Sequence, residues 1–90
     1  MPQLRDPARD VLARANKVAR LLAECHRRGV DLSPESSNSV AEALTALEQV
    51  RGALVEHLMQ APVGIRGSLR RLLRHVDTAR HRITELYRGR

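Results

Sequence analysis

Three runs of apolar residues recur with the 3.6-residue helical period along this chain, and two breaks separate them. In the first, Leu4, Val11, Ala15, Val18, Leu22 and Cys25 fall on one face. Asp6 reads as its N-cap, Pro7 occupies the first helical position, and Gly29 supplies the stop. In the second, Val40, Leu44, Leu47, Leu54 and Leu58 share a stripe flanked by Ala43, Val50 and Val55. Ser39-Val40-Ala41-Glu42 is a capping box that opens it. Ser33-Pro34-Glu35 can also open a helix, but the polar stretch 31–38 reads better as a loop with a short turn at 34–37. In the third, Ile65, Leu69, Leu72, Leu73, Val76, Ile83 and Tyr87 make the stripe, and Gly89 ends it. No alternating pattern and no Asn-Gly turn marks a strand or hairpin. The chain is therefore expected to be all-α, one helical domain over 1–90 with helices at about 7–28, 39–60 and 65–88.

Helices of matched length with one stripe each favour an up-down-up bundle of three amphipathic helices. The short break at 62–64 makes the second and third an antiparallel pair. The competing architecture is a long helical hairpin that oligomerises. There is no Trp or Phe, and Tyr87 is the single aromatic residue, so the interior is aliphatic. A thin aliphatic core in a chain of 90 residues gains from self-association, which makes a homo-oligomer the expectation.

Charge divides the chain unevenly. Residues 1–61 carry eight basic and eight acidic side chains, whereas 62–90 carry eight arginines against only Asp77 and Glu85. An arginine-rich helix beside a neutral body suits an anionic partner, either nucleic acid or an acidic protein surface. Guanidinium groups bind phosphate and carboxylate bidentately, so Arg66, Arg70, Arg71, Arg74, Arg82 and Arg88 are the candidate nucleic-acid-binding residues. The string from Gly64 to Leu73 resembles the turn and recognition helix of helix-turn-helix proteins over about ten residues. It lacks the extra residue after the Gly-Ile pair, and the preceding helix is about twice the length of that motif's first helix.

Two arginines interrupt apolar stripes: Arg51 in the second helix and Arg80 in the third. A buried unpaired charge is costly. If the chain turns near Val63, position 48 lies level with 78 and 51 with 75, which predicts the cross-helix pairs Glu48–Arg80 and Arg51–Asp77. Snorkelling to water is the plainer alternative. A third is that the arginines set register against a partner chain, and a fourth is an anion-binding groove.

The other chemistries lack their residues. No two of His26, His57, His75 and His81 stand at i,i+3 or i,i+4, and none forms a zinc-type spacing with Cys25, so no metal site is expected. Cys25 sits on the apolar stripe, where cysteine behaves as a small hydrophobe, and one cysteine permits no internal disulfide. No glycine-rich phosphate loop follows a strand, and no cofactor motif is present. No run approaches the length of a membrane span, and no signal-peptide pattern opens the chain, so a cytoplasmic protein is expected. The functional expectation is a non-catalytic binding protein that contacts nucleic acid through its C-terminal helix. Its alternative is a self-associating helical adaptor or inhibitor that docks on an acidic protein surface.

Overall fold

The three periodic runs fold as helices α1 (Arg5–Arg28), α2 (Pro34–Gln60) and α3 (Val63–Arg88) in a computed structural model that describes residues 5–88. Each helix packs against the other two, so the chain is a three-helix bundle, and the extended-hairpin alternative is set aside. Arg51 and Glu48 of α2 meet Asp77 and Arg80 of α3, which fixes those helices antiparallel. Arg9 of α1 lies beside Ser68 and Arg71, and Asn16 beside Thr78 and Arg82, which makes α1 and α3 parallel. The topology is up-down-up. α2 and α3 still lie side by side some fourteen residues from their turn, whereas a helix-turn-helix crosses at about 90–120°. The likeness at Gly64–Leu73 is therefore local.

Helix boundaries differ from the sequence expectation for identifiable reasons. α1 begins at Arg5, which puts Asp6 and Pro7 inside its first turn. The first N–H groups of a helix have no intrahelical acceptor, so a proline is tolerated there. Leu4 and Gly89 lie outside the described residues. α1 ends in a Schellman motif: Gly29 takes φ +66°, its N–H donates to His26 C=O, and Val30 N–H donates to Cys25 C=O at 3.0 Å.

α2 starts at Pro34, five residues before the expected capping box. Ser33 Oγ accepts the N–H of Ser36 at 3.1 Å, and Pro34 supplies the pre-set φ of a first helical residue. Ser39 instead lies within the helix and donates its hydroxyl to Glu35 C=O at 3.1 Å. The stretch 34–38 is thus helix and not loop. α3 likewise begins two residues early, at Val63 directly after Pro62.

The core is aliphatic, with Leu22, Leu47, Leu54, Val76 and Ile83 fully enclosed. Ala8, Ala15, Ala19 and Ala43 are buried as well and allow the helices to approach closely. Truncating one of the buried leucines to Ala costs about 2–5 kcal/mol in such an interior. The stripe of α3 shifts at both ends. Ile65 and Tyr87 are 48% and 42% exposed, and Leu86 packs on the core in place of Tyr87. The molecule is a rod of 48 × 20 × 15 Å with a radius of gyration of 14.6 Å. A globular chain of this length would have about 12 Å. Long helices with thin cores leave much side-chain surface in water, and that surface holds the arginines.

Candidate functional site

α3 carries seven arginines and two acids, and the bundle sorts them by flank. Side chains separated by three, four or seven residues share a flank, so packing α1 on one side and α2 on the other divides the basic face in two.

On the α2 flank the carboxylates are engaged. Arg51 Nε donates to Asp77 Oδ1 at 2.8 Å, and Arg80 Nη2 lies 3.1 Å from Glu48 Oε1. These are the two pairs expected from the register. All four side chains keep roughly half their surface in water, so the guanidinium stems cover the core edge while the heads stay hydrated. Arg70 and Arg74 border a shallow depression on this side together with Leu73, Asp77, Thr78 and His81.

On the α1 flank the lining contains no carboxylate. A groove of about 480 Å³ runs between α1 and α3, lined by Arg9, Leu12, Ser68, Arg71, Leu72 and His75. It continues into a smaller hollow of about 190 Å³ lined by Leu12, Asn16, His75, Thr78, Ala79 and Arg82. Half-buried Leu12, Leu72 and Ala79 form an apolar floor. Arginines from both helices stand on its walls.

The six arginines of the expected nucleic-acid site are thus not one surface. Arg66 is half-buried, and its Nε donates to Ala61 C=O at 3.1 Å. It closes the turn at the end of α2, where carbonyls lose their helical partners. Arg71 and Arg82 face α1, whereas Arg70 and Arg74 border a depression lined by α3 residues alone, including Asp77. Arg88 is exposed in the last turn of α3, where a cation is favoured by the helix dipole. Among the described residues, Arg70, Arg71, Arg74, Arg82 and Arg88 form no ion pair.

Arg9 and Asn16 were invisible as site residues in the sequence, because the charges of residues 1–61 cancel. Parallel packing of α1 beside α3 brings them to the groove. The signal available in advance was their place on one flank of α1 at a spacing of seven residues. Among the described residues, no group of three His, Cys, Asp or Glu side chains is arranged to hold a metal ion. No helix there is long and apolar enough to cross a membrane. Cys25 is free and half-buried. Comparison with known protein families, curated proteins and solved structures finds no match.

Proposed function

We propose that this is a non-catalytic binding protein whose helix α3 contacts nucleic acid, in the manner of a small regulator or an accessory subunit of a nucleoprotein complex. The observation that carries this reading is the set of exposed arginines on α3 without carboxylate partners among the described residues. An exposed unpaired guanidinium keeps its donors available for phosphate oxygens. Phosphate contacts of this kind provide affinity and orientation without reading sequence. The test is binding to a short duplex at several salt concentrations. Affinity falls steeply with salt, and the triple substitution Arg70→Ala, Arg71→Ala, Arg74→Ala removes most of it while the far-ultraviolet dichroism stays helical. Tight binding that survives the triple substitution removes these residues from the site.

A second reading is a helical adaptor or inhibitor that self-associates and docks on an acidic protein surface. The observation favouring it is the apolar tip at the α2–α3 turn, where Met59 is 76% and Val63 81% exposed, with Ile65 nearby. Light scattering tests it: a strict monomer that binds nucleic acid tightly overturns the adaptor reading.

A further inference from the structure

We infer that the α1/α3 groove seats the phosphodiester strand of a duplex, held by Arg9, Arg71, His75 and Arg82. The inference rests on the nucleic-acid reading and narrows it, because that reading concerns the basic face of α3 as a whole. Four observations assign the groove in preference to the outer ridge of α3.

The first is electrostatic. The groove lining contains three arginines and a histidine but no carboxylate. The depression on the opposite flank includes Asp77, which accepts from Arg51. On that flank Arg51 is already engaged by the Asp77 carboxylate, whereas among the described residues the groove arginines are free of ion pairs and no carboxylate lines the groove.

The second is shape. Parallel helices in contact lie about 8–10 Å apart, so Arg9 on α1 and Arg71 on α3 can grip a strand from both sides. From Arg71 to Arg82 the helix rises roughly 16 Å, the length of about five base-pair steps measured along a duplex axis at 3.4 Å each.

The third is the floor. Leu12, Leu72 and Ala79 are half-buried apolar residues that suit the faces of sugar rings, while the walls supply the donors.

The fourth concerns bases. Tyr87, the only aromatic residue of the chain, lies in the last turn of α3, outside both parts of the groove lining. Bases of a single strand would find no Trp, Tyr or Phe ring in the groove to stack on, whereas a duplex keeps its bases paired and offers only its backbone. DNA and RNA duplexes present the same phosphodiester chemistry.

The experiment compares two double variants that remove equal charge. Arg9→Ala with Arg82→Ala removes two of the three groove arginines; Arg70→Ala with Arg74→Ala removes the two arginines of the outer ridge. Each is titrated, beside the unaltered protein, against a 20-base-pair DNA duplex, an RNA duplex of the same sequence and the DNA single strand. Fluorescence anisotropy is read across a salt series. The groove variant is expected to lose about two units of the salt slope and to weaken duplex binding about tenfold or more, one unit per phosphate contact. The ridge variant, which leaves Arg71 in place, is expected to lose clearly less affinity and less salt slope than the groove variant. A tighter complex with either duplex than with the single strand supports the assignment and identifies the source of the strand.

Equal or greater loss in the ridge variant, or preference for the single strand, overturns the groove assignment while the nucleic-acid reading stands. Salt-independent or absent binding by the unaltered protein overturns the parent reading itself. Resonance mapping gives a readout that does not depend on a variant folding. The His75 imidazole and the Asn16 amide shift on titration with duplex, whereas His81, on the other flank, stays in place; the reverse pattern overturns the assignment.

Discussion

Arg51 Nε donates a 2.8 Å hydrogen bond to Asp77 Oδ1 across the seam between α2 and α3. One helical turn along, Arg80 reaches back to Glu48. Together they fix the register of the two antiparallel helices and remove one of the two acids of α3 from its basic face. Both pairs are half-exposed, so solvent screens them. A double-mutant cycle on Arg51 and Asp77, followed by urea unfolding, gives a coupling of about 0.2–1 kcal/mol that shrinks in high salt. A salt-insensitive coupling above roughly 2 kcal/mol contradicts this hydrated geometry.

The start of α2 rests on the Ser33 cap. Ser33→Ala lowers stability by about 0.5–2 kcal/mol. Ser39→Ala changes it by less than about 0.5 kcal/mol, because Ser39 only returns a bond to the turn behind it. Thermal or urea unfolding of both variants decides the matter, and a larger effect at Ser39 would move the helix start to the capping box.

Two glycines respond in opposite directions. Gly29 has φ +66°, so Gly29→Ala costs about 1–2 kcal/mol although its Cβ meets nothing. Gly52 is exposed in mid-helix with open space where a Cβ would go, so Gly52→Ala raises stability by up to about 1 kcal/mol. Loss of stability at Gly52 is the contrary outcome, and melting curves distinguish them.

Arg66 separates folding from binding. Its hydrogen bond to Ala61 C=O ties the start of α3 to the end of α2, so Arg66→Ala destabilises by about 1 kcal/mol. The same substitution leaves the salt slope for duplex binding nearly unchanged, whereas Arg82→Ala reduces it by about one. A slope change at Arg66 matching that at Arg82 returns Arg66 to the binding surface.

Much of the fold was legible in the residues themselves. The apolar period marked each helix, Gly29 marked the end of the first, and Pro62 marked the turn between the other two. A turn near Val63 brings 51 level with 75 and 48 with 78, each two residues from its observed partner, Asp77 and Arg80, because both helices rise at the same rate per residue. The early start of α2 was legible only as one option. Ser33 and Ser39 are both competent caps, and the choice depended on whether 34–38 could be helical at a modest cost.

The amino-acid order alone determined that three helices form, most of the stripe each turns inward, and that positive charge gathers on the last. It did so because periodicity and capping are local properties of a helix and its own neighbours in the chain. Tertiary packing decided which flank of α3 each arginine occupies, that Arg66 folds back onto the turn, and that Arg9 and Asn16 join Arg71 and Arg82 around one groove. Helical period states where a side chain points relative to its own axis. Only the placement of a second helix determines what lies beside it.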